Sequence, residues 1–179
     1  MPWKDKYPAA QLVPFDAGWA DRYACVAAEL TAALGPQWDI EHVGSTSVPG
    51  LLAKPVVDVA LRLPEGRHLS EWHGVLTEAG WTTPIAVGDH WGTFLLSGSV
   101  RAAIGHVFTA DDWPTAHVRL FADWLRTHER DRDRYANLKS SLVDQGIWGS
   151  KYTAAKGGLV REIVNCARAS RGLPPVGPL

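Results

Sequence analysis

The chain is poor in cysteine, carries no excess of charge of either sign and contains no long apolar run, and each of these absences closes off a class of protein. Its two cysteines, Cys25 and Cys166, lie far apart in helical patterns with no CxxC spacing. That excludes a disulfide framework and suits a reducing compartment, so the cytoplasm is the expected location. The net charge is −1, so bulk electrostatics draw the chain neither to nucleic acid nor to a membrane. No apolar stretch approaches the length of a membrane span. The opening "MPWKDKYP" has no apolar core of the kind a secretory signal needs. Among catalytic signatures, HExxH, G-x-S-x-G, a Cys/His nucleophile pair and the phosphate-binding P-loop are all missing.

What remains is an ordinary globular composition with one exception. Over 179 residues, 46% are hydrophobic and 21% charged, which fits a single domain with a real core. We expect that domain over residues 1–170, followed by a Pro-rich tail, 171–179, that frays. The exception is nine tryptophans. They predict a broad aromatic core or a pocket with flat walls, and core packing is the commoner use of Trp.

Trp19, Tyr23, Val26, Leu30 and Leu34 recur at helical spacing up to Gly35-Pro36. A short strand over Trp38–Val43 follows, then strand-like alternation around Val57, Val59, Leu61 and Leu63. Leu69, Trp72, Leu76 and Ala79 predict a second helix. Two strands, about Trp91–Leu96 and Val100–Phe108, face each other across Ser97-Gly98-Ser99. From Asp111 onward the pattern is helical, with Pro114 suited to a first turn and "HERDRDR" reading as a solvated face or a helix junction. A last helix runs from about Lys151 to Ala169. The order predicts an α+β fold with a mixed sheet, flanking helices and a helical C-terminal part.

Chemistry concentrates in "EHVGSTSVPGLLAKPVVDVALRL", Glu41 to Leu63. Gly44, Ser45 and Thr46 after a strand offer backbone N–H groups and hydroxyls to an anion; they equally suit a plain turn. Asp58 sits among Val56, Val57, Val59 and Ala60, where a carboxylate is costly without a partner. It reads as a salt-bridge partner, or as a metal ligand or general base. The next position on its strand face is Ala60, so no paired carboxylate follows. His106 shares a strand face with Ile104 and Phe108. It is a core residue unless its strand pairs beside that of Asp58, in which case it suits proton transfer. Lys156 falls on the inward stripe of the last helix with Tyr152, Leu159 and Ile163. There it needs a partner such as Asp123, Asp58 or a ligand anion, or else its ammonium reaches out to solvent.

The run Gly44, Ser45, Thr46, Val48, Pro49, Gly50, Leu51, Lys54, Pro55 and Asp58 resembles the hallmark of the GrpB family, a branch of the nucleotidyltransferase superfamily. The resemblance extends over nearly the whole chain. It includes His106 of a His-x-His-Val strand, Phe121, Asp123, Leu125, Arg126 and His128 of a helix, and the Tyr-x-x-x-Lys pairs Tyr135–Lys139 and Tyr152–Lys156. It implies a nucleotidyltransferase-like fold in which the Gly-Ser turn holds a nucleotide's phosphates and Asp58 binds magnesium. The chain departs from the family at several points. Ile104 replaces the first strand histidine. Ala122 and Trp124 replace an arginine and a tyrosine, Gly149 replaces another arginine, and "GDHWGTFLLSGS" replaces an arginine-rich strand. Arginines are the expected phosphate clamps.

The resulting expectation is a GrpB-type enzyme acting on a small molecule. Asp58, His106, Lys156 and Asp123 would be its catalytic residues. Gly44, Ser45, Thr46, Lys54, Tyr152, Trp91 and Trp124 would bind substrate. The reaction expected first is nucleotidyl or phosphoryl transfer with Mg2+ and a nucleotide. The alternatives are an acid–base catalyst without metal or nucleotide acting on a small organic metabolite in a biosynthetic pathway, and a ligand-binding module without turnover. Trp91, Trp124 and Trp148, if they line the cleft, would favour a planar ligand.

Overall fold

The structure is a computed structural model and describes residues 11–177. The opening "MPWKDKYP", read above for a signal segment, lies outside the described residues. Five helices, α1 (Trp19–Leu34), α2 (His73–Glu78), α3 (His117–Thr127), α4 (Glu129–Asp144) and α5 (Gly149–Ala169), surround five strands. The strands are β1 (Asp39–Val43), β2 (Val57–Arg62), β3 (Ile85–Val87), β4 (His90–Ser97) and β5 (Val100–Phe108). They form one mixed sheet in the order β1-β2-β5-β4-β3. Only β2 and β5 run parallel, while the other pairs are antiparallel.

Strand periodicity sorts the side chains. Val57, Val59 and Leu61 of β2, with Ala103 and Val107 of β5, join Trp19, Leu30 and Leu34 of α1 and Leu76 of α2 in the larger core. Trp38, Trp72 and Trp81 are buried in the same core, with Trp38 and Trp72 meeting edge to face at 5.1 Å. The aromatic-core reading therefore holds for these tryptophans. Trp91 packs against this core too. It alternates along β4 with His90 and Gly92, which face the other way. On that other face α3 lies close to the sheet through Ala122, which packs with Val43 and Ala60. Beyond it α3, α4 and α5 form a second core around Phe121, Leu125, Tyr135, Ile163 and Val164.

Several expectations change in detail. The predicted second helix is a 3-10 turn over Leu69–Trp72 followed by the short α2. β3 has only three residues, too short for its alternation to register as a pattern. Pro114 is the second residue of a 3-10 turn, Trp113–Thr115, that precedes α3. The charged run is a junction: α3 ends at Thr127 and α4 starts at Glu129. The tail, expected to fray, is fastened as far as it is described. Asn165 Oδ1 accepts the Val176 N–H at 2.8 Å and its Nδ2 donates back to the Val176 carbonyl at 3.2 Å. Arg168 Nε donates to the Pro174 carbonyl at 2.6 Å. No helix among the described residues is long and apolar enough to cross a membrane.

Candidate functional site

A cleft of about 350 Å³ lies between the open face of β2, β5 and β4 and the inner faces of α3, α4 and α5. Its floor begins where β1 ends. Gly44 has φ 69°, and a Cβ built there would lie 2.4 Å from Asp58 Oδ2. Only glycine lets the backbone turn this tightly against the carboxylate. The 3-10 turn Ser45–Ser47 follows directly. Arg126 of α3 braces it: Nη2 donates to the His42 carbonyl at 2.8 Å and Nε to the Ser47 carbonyl at 3.1 Å.

Asp58 faces the cleft because it is the first cleft-side residue of β2, opposite Val43 on β1 and Ile104 on β5. The parallel pairing places His106 beside Ala60, and its Nε2 reaches back to within 3.2 Å of Asp58 Oδ1. The polar chain continues outward. His106 Nδ1 is 3.0 Å from His90 Nε2, and His90 Nδ1 is 3.0 Å from Asp89 Oδ1. His117 Nδ1 sits 3.4 Å from Asp89 Oδ2. The close approach of His117 first, then the hydrogen bond with His90, holds the Asp89 carboxyl far below the usual carboxylate range. Burial lowers the basicity of His90.

The opposite wall is built of lysines. Lys139 of α4 is buried, donating from Nζ to Ser45 Oγ at 3.0 Å and to the Leu52 carbonyl. Lys156 of α5 donates to the Tyr135 hydroxyl at 3.2 Å and lies over the Tyr152 ring at 4.4 Å. Lys54 lies over the same ring at 5.0 Å and over Trp148 at 5.6 Å. Burial first, then repulsion from Lys156, brings the Lys54 ammonium down to about 7, against the opposing pull of Asp58. Burial and the neighbouring Lys156 and Lys54 bring Lys139 down to about 6. Burial pushes the Tyr135 and Tyr152 hydroxyls up, and the buried Tyr152 hydroxyl has no hydrogen-bond partner among the described residues. Arg101, buried over the Phe94 ring at 4.4 Å, also lines the cleft.

The cleft thus gathers Gly44, Ser45, Lys54, Asp58, His106, Tyr152 and Lys156. Four other expected site residues lie elsewhere. Thr46 is buried with its hydroxyl 2.9 Å from His42 Nε2. That ring stacks on Tyr23 and is brought down to about 4, mainly by burial. Asp123 pairs with Arg126 at 2.8 Å and Arg171 at 3.3 Å in a separate surface depression, so it is not the partner of Lys156. Trp124 lines that depression as well, stacked on His128 at 3.4 Å with Nε1 donating to Asp131. Trp91 faces the large core. Lys139, Tyr135, His90, His117 and Arg101 were not among the expected site residues. The Tyr135–Lys139 spacing, two residues four apart on one helix face, is the one available signal for two of them.

The cleft does not fit a two-magnesium centre. The second carboxylate position is Ala60, fully buried in the seam between β2 and α3 with Ala122 and Val43. Asp58 already has His106 on one oxygen and feels Lys54 and Lys139 nearby. A dication there would find one carboxylate where a two-metal centre needs several.

Comparison with known proteins agrees with this architecture. The family model described as GrpB protein matches residues 9–165. A UPF0157 protein of Halalkalibacterium halodurans is 33% identical over 162 residues, spanning 89% of this chain and 83% of that protein. A UPF0157 protein of Streptomyces coelicolor is equally similar, at 33% over 162 residues, 89% of this chain and 85% of its own length. The crystal structure of the conserved protein GrpB from Enterococcus faecalis superposes with TM-score 0.78 at 19% identity, over 90% of this chain and 99% of that one. Terminal uridylyl transferase 4 from Trypanosoma brucei, solved with dUTP, superposes with TM-score 0.52 at 16% identity, over 92% of this chain and 57% of that one. At that distance the likeness is one of fold, and the fold is nucleotidyltransferase-like. With the family model covering nearly the whole chain, this protein belongs to the GrpB family.

Proposed function

We propose that this GrpB protein is an acid–base catalyst that binds a small anionic organic molecule at the lysine wall and moves a proton on it with Asp58 and His106. The observation that carries the reading is the Asp58–His106 contact at 3.2 Å, set across one cleft from Lys54, Lys139 and Lys156. Lys54 and Lys139, brought down to about 7 and about 6 by burial and by neighbouring lysines, become fully charged when an anion arrives. The Tyr152 hydroxyl, buried without a partner among the described residues, supplies a donor for the same ligand. Asp58 would accept the substrate proton, and His106 would orient the carboxylate and exchange the proton with it. Two exposed, unpaired thiols, Cys25 and Cys166, fit a cytoplasmic setting for this activity.

A second reading, nucleotidyl or phosphoryl transfer, is favoured by the Gly44–Ser45 turn and Asp58 at the head of β2 in this fold. One experiment separates the two. Thermal stabilisation is measured with ATP, UTP, pyrophosphate and a panel of aliphatic and aromatic carboxylates, each with and without Mg2+. Small carboxylates or phosphates should stabilise the protein regardless of Mg2+, and Lys54→Met should abolish the effect while Asp58→Asn keeps it. Stabilisation by nucleotides alone, requiring Mg2+ and lost in Asp58→Asn, would overturn the first reading in favour of the second.

A further inference from the structure

At the outer end of the polar chain, Asp89, His90 and His117 bring together three ligand atoms that all lie within 4.8 Å of one another. We propose that these residues form a binding site for one divalent transition-metal ion, of the zinc or cobalt class, at the rim of the cleft.

The geometry is that of a collapsed metal site. Asp89 Oδ1 is 3.0 Å from His90 Nδ1 and Asp89 Oδ2 is 3.4 Å from His117 Nδ1. Ligands bound at 2.0–2.1 Å in a tetrahedron lie about 3.3 Å apart, so a metal needs little rearrangement to enter. His117 Nδ1 is buried, and beyond its 3.4 Å approach to Asp89 Oδ2 it makes no hydrogen bond among the described residues, so a metal would give it a full partner. Two imidazoles and one carboxylate are the donor set of borderline divalent ions, not of magnesium or calcium. The rings are held in place. His90 stacks on Phe108 at 4.8 Å, and His117 meets the edge of Phe108 at 5.8 Å. The far nitrogen of His90 has its own partner, His106 Nδ1 at 3.0 Å, the outer-shell contact that orients metal-bound imidazoles. Because His90 and His117 line the cleft, the remaining coordination positions would open toward it.

A metal here would also set the direction of the hydrogen-bond chain. With Nδ1 of His90 on the ion, its Nε2 carries the hydrogen and donates to His106 Nδ1. His106 must then donate from Nε2 to Asp58. The site lies apart from the carboxylate position the fold family uses for magnesium, so each can be tested without the other.

The test is a titration of the chelator-treated full-length protein with Co2+, followed by displacement with Zn2+, read by visible absorption and calorimetry. One ion should bind per chain, with imidazole ligation through Nδ1 visible by nitrogen NMR of the Zn2+ form. His117→Gln and Asp89→Asn should each weaken Co2+ binding by at least about tenfold, and Asp58→Asn should leave it unchanged. Asp89 is more than half exposed at the β3–β4 turn, so Asp89→Asn carries the test should His117→Gln misfold by circular dichroism. Absence of saturable binding, binding indifferent to Asp89→Asn, or binding lost in Asp58→Asn would overturn the proposal.

Discussion

Gly44 shows how a single residue can be dictated by another far along the chain. Its left-handed φ and the 2.4 Å approach of Asp58 Oδ2 to a hypothetical Cβ leave no room for alanine. Gly44→Ala should cost about 2–4 kcal/mol, combining backbone strain with a clash on β2, as read by urea unfolding. Tyr152 behaves in the opposite sense. Its hydroxyl is buried without a partner among the described residues, so Tyr152→Phe should raise the stability of the ligand-free protein by about 1 kcal/mol in the same assay. The same substitution should weaken anion binding. A residue that stabilises on removal yet supports ligand binding marks a binding position and not a packing one.

Among the elements, α3 does most to hold the site. Arg126 donates to the backbone on both sides of the Gly-Ser turn, at His42 and Ser47, and Arg119 forks onto Glu41 of β1 at 2.7 and 2.6 Å. Arg126→Ala should cost about 1–2 kcal/mol. It should also speed amide hydrogen exchange across residues 44–51 while leaving β4 and β5 protected. Element boundaries and the mixed sheet were legible in the sequence wherever apolar periodicity was strong: α1, β2, the β4–β5 hairpin and α5. The site was legible where one contiguous run encodes it, from Gly44 through Lys54 to Asp58. The rest depended on pairings that no local pattern states. His106 becomes a neighbour of Asp58 only because β5 pairs with β2. Trp91 turns away because β4 alternates, so His90 next to it faces the cleft. Trp124 and Asp123 sit on the side of α3 facing the end of α5 and the α3–α4 junction, one helical turn from where Val118 and Phe121 meet the cleft.

Across the whole molecule the buried lysines should leave a signature in the pH dependence of stability. Lys54 at about 7 and Lys139 at about 6 are lowered from 10.5, so above those values the unfolded chain holds protons the folded chain has released. Stability of the ligand-free protein should therefore rise with pH, between about pH 6.5 and about pH 8.5, and Lys54→Met should flatten the rise. Urea midpoints at the two pH values check it. Bound anion works in reverse: it restores the charge on these lysines, so anion affinity should fall over the same interval. The two halves of the Asp58–His106 pair are 48 residues apart in sequence, joined only across the parallel β2–β5 pair. The β4–β5 hairpin closes locally through a two-residue turn at Gly98-Ser99, but the central pair must close a long loop first, and such non-local contacts form slowly. During refolding the hairpin should thus mature ahead of the Asp58–His106 pair, which a nascent chain leaving the ribosome cannot form until β5 has emerged and docked.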